Sequence, residues 1–297
     1  MNAVLRFAPS PNGALHLGHA LSALTGHDWA RRLGGRHLVR IEDIDTVRCR
    51  PELISAALDD LAWLGIDWEQ PVLRQSEHFA VYAAAAARLE ALGLLYPCFA
   101  TRSELARAIH PASGAVDPDA VPRYPGLYKS YPAALADERR ARGEPCALRL
   151  HMDRAVALAR QRLCGAPLTF HEVDEAGRVE VIAAQPERWG DAVIVRKDTP
   201  TSYHLSVVID DARQGITHVT RGRDLYAATD LHRLLQVLLS LPAPLYHHHR
   251  LLTDATGRKL AKSAGDTALS LLRLQGWTAD GVRREIGAYR MPQPRHT

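Results

Sequence analysis

Three short stretches carry residue types whose spacing could do chemistry. The first is Pro9-Ser-Pro-Asn-Gly13-Ala-Leu-His16-Leu-Gly18-His19, placed between an apolar extended run and a helical one. His16 and His19 are three apart, so on a helix they share one face. Both could donate hydrogen bonds to one phosphate as charge builds in a transition state. A glycine-permitted turn into a helix N-terminus presents backbone N–H groups and the positive dipole end to an anion, and Gly18 leaves room for a flat ring on the backbone. The plain alternative for two such histidines is capping or a surface pair. The second stretch, Arg40-Ile-Glu42-Asp43-Ile-Asp45-Thr46, offers carboxylates that can hold an ammonium and an arginine that can hold a carboxylate bidentately. Its alternative is a solvated loop or capping cluster. The third is Lys259-Leu-Ala-Lys262-Ser263, in a chain with 33 Arg and 4 Lys, so half the lysines fall in this one segment. A lysine retained on that background suits a site needing a compact, flexible ammonium.

These residues need elements to hold them. Val4 to Phe7 is apolar and extended, Ala8 to Gly13 is broken by Pro and Gly, Leu15 to Leu33 has helical periodicity, and His37 to Ile41 reads as a strand. That βαβ opening predicts a doubly wound parallel sheet, with ligands at the carboxyl ends of its strands. Helices are predicted over Pro51–Leu64 and Glu77–Leu92. From Cys98 the texture changes. Thr101-Arg-Ser-Glu104 is a capping box, Pro111 to Tyr128 reads as a long loop, and short strands are predicted at 147–151, 168–171 and 178–182. Residues 98–190 are therefore read as an insertion with its own small fold. Strands at 192–196 and 217–220 and helices at 203–212 and 225–239 restore the α/β pattern, and helices follow at 267–274 and 278–289.

Composition excludes several classes. The 297 residues are 46% hydrophobic, which is ample for a core and excludes disorder. No apolar run approaches the ~18 residues that cross a bilayer, and two prolines interrupt the N-terminus before a signal peptide could form. No membrane role is expected. Cys49, Cys98, Cys146 and Cys164 form no C-x-x-C pair, which argues against a disulfide framework and suits a reducing cytoplasm. The net charge of +4 is a weak indication of a polyanionic partner. In Tyr246-His247-His248-His249, successive histidines on a strand point to alternate faces and cannot converge on one metal ion. One of the three is expected to approach the nucleotide and the others to lie at the surface.

Arg6-Phe-Ala-Pro-Ser-Pro-Asn-Gly13-Ala-Leu-His16-Leu-Gly18-His19 resembles the adenylation signature of class I aminoacyl-tRNA synthetases, in the form of the glutamyl and glutaminyl branch. The resemblance implies a Rossmann-like α/β catalytic domain over 1–97 and 191–262, an inserted α+β, acceptor-binding-like subdomain over 98–190, and C-terminal helices over 263–297. It implies that ATP is bound by Pro9, His16, Gly18, His19, Lys259 and Lys262, with His16, His19 and Lys262 catalytic. The family more often has Met or Leu, then Ser, between the two lysines, where this chain has Leu260 and Ala261. L-glutamate is implied to bind at Arg6, Ser10, Glu42, Tyr203 and Arg221. Glu42 takes the ammonium and arginine takes the side-chain carboxylate, which favours glutamate over glutamine. Mg²⁺ is expected as the counterion of the ATP phosphates.

The family's zinc site falls here on Cys98, Ala100, Tyr124 and Tyr128, a degenerate set with one thiolate, so no structural zinc is expected. Packing of Tyr124, Tyr128 and Tyr131 is expected to take its place. Only 34 residues follow Ser263, too few for the family's anticodon-binding domain. That points to the truncated branch, which transfers glutamate to the queuosine base in the anticodon of tRNA(Asp). The alternatives are a minimal enzyme charging tRNA(Glu), and a non-catalytic tRNA-binding paralogue, which would have eroded catalytic residues. A monomer is expected. RNA contact is assigned to the insertion and its arginines, Arg139, Arg140, Arg142, Arg149, Arg154, Arg160 and Arg162, with solvated helix faces as the even alternative.

Overall fold

The computed structural model describes residues 2–108, 115–253 and 267–287. The first half contains β1 (Val4–Phe7), α1 (Leu17–Arg32), β2 (Arg36–Ile41), α2 (Pro51–Trp63), β3 (Glu69–Arg74), α3 (Phe79–Ala91), β4 (Leu95–Cys98), α4 (Arg102–Ala108), α5 (Ala133–Ala141) and β5 (Ala147–Leu150). There follow α6 (Met152–Arg162), β6 (Thr169–Val173), β7 (Val179–Ala183), β8 (Val193–Val195), α7 (Tyr203–Arg213), β9 (His218–Gly222), α8 (Ala228–Leu239), β10 (Leu245–His249), α9 (Leu269–Leu274) and α10 (Ala279–Gly287). Among the described residues no helix is long and apolar enough to cross a membrane.

Strands β1, β2 and β3 pair in parallel in that order, and β10 pairs in parallel with both β9 and β6. The Thr217 N–H, one residue before β9, donates to Val4 O at 3.0 Å and brings the two sheets edge to edge at β1. The chain thus runs outward from β1 to β2 and β3 on one side and lies against β9 and β10 on the other. This is the reversal of strand order at which open α/β sheets bind ligands. Period-two alternation then sorts the side chains. Phe7, Val39 and Ile41 pack with Ala20, Ala23 and Leu24 of α1, while Arg6 and Arg40 point the other way, onto Asp211 of α7. Gly26 lets α1 lie close on the sheet, since an added Cβ would sit 2.8 Å from Thr220 Oγ1.

The second core joins α3, α6, α7 and α8 through Leu89, Ala155, Leu205, Leu231, Leu234 and Leu238. Each fully buried leucine contributes about 1.5–3 kcal/mol. Residues 98–190, expected to fold by themselves, are divided between two sheets. Strand β5 lies between β4 and β8 in an antiparallel sheet, and the antiparallel pair β6–β7 extends the parallel sheet through β10. A strand pattern fixes the faces of β6 but carries nothing about a parallel partner some 75 residues away, which is why the sequence reads it as part of a separate unit. The capping box at Thr101 is present, with Glu104 N–H donating to Thr101 Oγ1 at 3.2 Å and Thr101 N–H to Glu104 Oε2 at 2.7 Å.

Candidate active site

The carboxyl ends of β1, β2, β9 and β10 open onto a cavity of about 550 Å³. Arg6, Pro9, Ser10, His16, Gly18, His19, Glu42, Tyr203 and Arg221 all line it, so two segments read separately in the sequence, and two more residues near position 200, meet in one place. Lys259 and Lys262 lie outside the described residues. Their segment is nevertheless bracketed by the site. Leu252 lines the cavity, and beyond the segment Leu269 N–H donates to Leu15 O at 2.8 Å while Ala268 bridges to His16.

His16 and His19 are both a cap and a wall. His16 is the N-cap of α1, its Nδ1 accepting Gly18 N–H at 3.0 Å, and His19 Nδ1 accepts His16 N–H at 3.2 Å. With each Nδ1 an acceptor, the proton of each neutral ring is on Nε2, so each ring can donate through that edge. The rings stand 4.0 Å apart, centre to centre. Capping, the plain alternative, is therefore how the pair is oriented within the cavity wall. Gly18 is required by His16 itself, because an added Cβ would lie 2.8 Å from His16 Cε1. Gly18→Ala is expected to turn the His16 ring and lower the rate of adenylate formation about a hundredfold, the scale of one lost oriented donor. Loss of stability should stay near 1 kcal/mol, as for a weakened cap. Exchange kinetics beside a denaturation curve check both.

The acidic and basic wall is built on β1, β2 and α7. Asp211 takes Arg6 Nε at 3.0 Å and Arg40 at 2.9 Å, while Arg40 also reaches Glu42 at 3.4 Å and Gln214 at 2.9 Å. Burial works against the Asp211 carboxylate, but the Arg6 and Arg40 charges outweigh it and hold its pKa below the usual carboxylate range. For Glu42 the balance is reversed. Burial lifts its pKa and the same two arginines only partly oppose it, so a ligand ammonium would meet a carboxyl with unmet demand for positive charge. Burial also pushes the Tyr203 phenol up to about 12, so it remains a donor. Asp211 was not legible in the sequence, where it is one carboxylate in an amphipathic helix. The acidic block itself divides. Asp43, itself buried, accepts Ser76 N–H and Oγ–H at 2.9 and 2.7 Å and so ties the end of β2 to the turn after β3. Asp45 binds Arg48 at 2.6 Å within its own loop, and of the three carboxylates Glu42 alone lines the cavity.

The histidine run corrects the sequence reading. His247, His248 and His249 lie on β10 as expected, yet all three are buried, because β10 is an interior strand between β6 and β9. His249 lines the cavity. His247, on the same face of β10, stacks on Trp29 at 4.5 Å, and His248, on the opposite face, accepts Arg221 Nε–H at 3.0 Å. Arg221 also donates to His232 Nδ1 at 3.2 Å and Thr229 Oγ1 at 2.6 Å. Burial pushes His248 down to about 4 and His232 well below the ordinary value, with the Arg221 charge acting in the same direction. Both rings are thus neutral when folded and titrate near 6.5 when unfolded. The unfolded chain gains protons first as pH falls below 6.5, so stability is expected to drop by up to about 1.4 kcal/mol per pH unit for each ring until the folded pKa is reached. Urea midpoints between pH 7 and 5 check this, and His248→Asn should lessen the slope.

At the degenerate zinc positions Cys98 Sγ–H donates to Tyr124 Oη at 3.4 Å and Tyr128 N–H to the same oxygen at 2.8 Å. Burial raises the Tyr124 pKa and the Cys98 contact adds to it, so the phenol stays protonated, and one thiol beside two phenols and a methyl does not fit zinc. The aromatic cluster is held by arginines, Arg139 lying 4.0 Å over Phe99 and Arg149 lying 3.8 Å over Tyr124. Most arginines assigned to RNA have internal partners too: Arg140 pairs with Glu90, Arg160 with Glu187, and Arg162 binds the Val237 and Leu238 carbonyls.

Comparison with known proteins agrees with this geometry. The family described as tRNA synthetases class I (E and Q), catalytic domain, matches residues 2–284. A Rhodobacter capsulatus protein named glutamyl-Q tRNA(Asp) synthetase is 45% identical over 96% of this chain and 99% of its own length. A Methylobacterium protein named glutamate–tRNA ligase 2 is 40% identical over 95% of this chain, which spans 59% of it. A crystal structure of glutamate-tRNA synthetase from Elizabethkingia anophelis superposes with a TM-score of 0.71 at 26% identity, over 89% of this chain and 53% of that one. The chain belongs to the class I tRNA synthetases of the E and Q type, whose catalytic domain it carries.

Proposed function

We propose that this chain is a ligase that activates L-glutamate with ATP and transfers the glutamyl group to the queuosine base in the anticodon of tRNA(Asp). The observation that carries the reading is one cavity with two different walls: the helix-capping His16–Gly18–His19 on one side, and Glu42 with Arg6, Tyr203 and Arg221 on the other. The first wall suits a triphosphate and the second an amino acid with an extra carboxylate. The glutamate α-carboxylate attacks the α-phosphorus of ATP and pyrophosphate leaves. His16 and His19 donate to the phosphate oxygens as charge develops, and Lys262 neutralises charge on the phosphates as pyrophosphate leaves. Mg²⁺ bound with the nucleotide would supply further charge neutralisation. A queuosine hydroxyl then attacks the mixed anhydride and AMP leaves. No covalent enzyme intermediate is required, so positioning and charge stabilisation carry catalysis.

The tRNA assignment draws support from the Rhodobacter relative, which this chain matches along nearly its whole length. We place the enzyme in the cytoplasm as a monomer. ATP–pyrophosphate exchange tests the first step. It is expected with glutamate, far more weakly with glutamine, and without any tRNA. Exchange that requires tRNA would contradict the last point, and exchange with glutamine equal to that with glutamate would contradict the pocket.

A further inference from the structure

We propose that Glu172, acting through His248, is a positioning residue that holds Arg221 as a charged reader of the substrate side-chain carboxylate. The inference rests on the glutamate reading of the pocket. An arginine can only donate hydrogen bonds. His248 Nε2, 3.0 Å from Arg221 Nε, must therefore be an acceptor, so the proton of the neutral ring sits on Nδ1. That Nδ1–H donates to Glu172 Oε2 at 2.8 Å, and Glu172 Oε1 accepts the His248 backbone N–H at 2.9 Å. The same logic runs on the other side of the guanidinium. His232 Nδ1 accepts from Arg221, leaving Nε2–H to donate to His204 Nδ1 at 3.2 Å. Thr229 Oγ1 accepts from Arg221 Nη2 at 2.6 Å and lies 3.2 Å from His248 Nε2, to which its hydroxyl can donate.

Every one of these partners of Arg221 is a neutral acceptor. Among the described residues Arg221 makes no ion pair, whereas Arg6 and Arg40 share Asp211. A carboxylate directly on Arg221 would compete with the substrate's carboxylate. Glu172 stands one imidazole away, where it fixes ring orientation and tautomer without taking the guanidinium's charge, as outer partners do for ligating histidines. Three of the five N–H groups are used by this cradle, which leaves two for a ligand carboxylate. Glutamine would offer that charge no counterpart.

The test compares wild type, Glu172→Ala and Glu172→Gln in the full chain by ATP–pyrophosphate exchange. Glu172→Ala is expected to raise the KM for glutamate about ten- to a hundredfold, the scale of a lost buried hydrogen bond to a charged network, with kcat and the KM for ATP within about threefold. Glu172→Gln keeps one acceptor for the Nδ1–H and should recover most of the loss. An unchanged glutamate KM in Glu172→Ala overturns the proposal. Nitrogen NMR of His248 decides it independently of any activity and of variant folding. The wild type should show the neutral, Nδ1-protonated tautomer at pH 7, and an Nε2-protonated ring or an imidazolium overturns the cradle. Absence of glutamate-dependent exchange in the wild type would instead overturn the reading of the pocket.

Discussion

Arg221→Gln is expected to lower kcat/KM for glutamate activation about a thousandfold while leaving the fold intact. Arg221 is buried on β9, and its cradle aims it at the cavity that Arg6 and Tyr203 share. Removing one member of a buried charge pair costs more than the pair is worth, because the remaining charge is left desolvated; truncations of this kind cost 2–5 kcal/mol or more. Glutamine at this position also restores no fit for an amide substrate, since His248 and His232 then face a side chain with two N–H donors instead of five. Arg221→Lys should fail nearly as badly. A single ammonium cannot satisfy three acceptors set around a planar fork and still meet a carboxylate bidentately. Steady-state exchange with both amino acids, beside a thermal melt, measures the effect.

Asp211→Ala is expected to be the most destabilising single change in the site, by about 3–5 kcal/mol. Its carboxylate is the shared partner of Arg6 and Arg40, whose side chains are 7% and 0% exposed. Without it Arg40 keeps Glu42 at 3.4 Å and Gln214, and Arg6 keeps the Thr220 carbonyl at 3.4 Å, contacts too few and too long to compensate two buried guanidinium groups. Asp211→Asn retains an acceptor but no charge and should fall between. Urea unfolding at neutral pH decides this. A loss below 1 kcal/mol in the alanine variant would mean that the two arginines reach solvent or other carboxylates.

What was legible in the sequence was whatever chemistry and local pattern write together. The βαβ opening, the histidine pair and the Arg40–Glu42 block are contiguous, and each sits where its element begins or ends. Strand β3 escaped because Glu69–Arg74 is mostly exposed at a sheet edge and its apolar residues Pro71, Val72 and Leu73 are consecutive, which gives no alternation to read, although Val72 packs partly against the core. Strand β4 escaped because Pro97 interrupts its pattern, which an edge position tolerates. The support of the site escaped for a different reason. Asp211, His232 and Glu172 come from three distant elements, and only tertiary packing makes them partners of Arg6 and Arg221. The buried histidines of β10 could have been suspected from the parallel sheet already predicted, since an interior strand is covered on both faces.

Transfer of glutamate to a modified base is tested directly by one experiment. Purified protein with ATP, Mg²⁺ and labelled glutamate is offered queuosine-containing tRNA(Asp), queuosine-free tRNA(Asp) and tRNA(Glu). Label on the first alone is the predicted result. Label on tRNA(Glu) would contradict it and make the chain a minimal charging enzyme, and adenylate formation with no label on any of the three would contradict the RNA assignment while leaving the chemistry of the pocket standing.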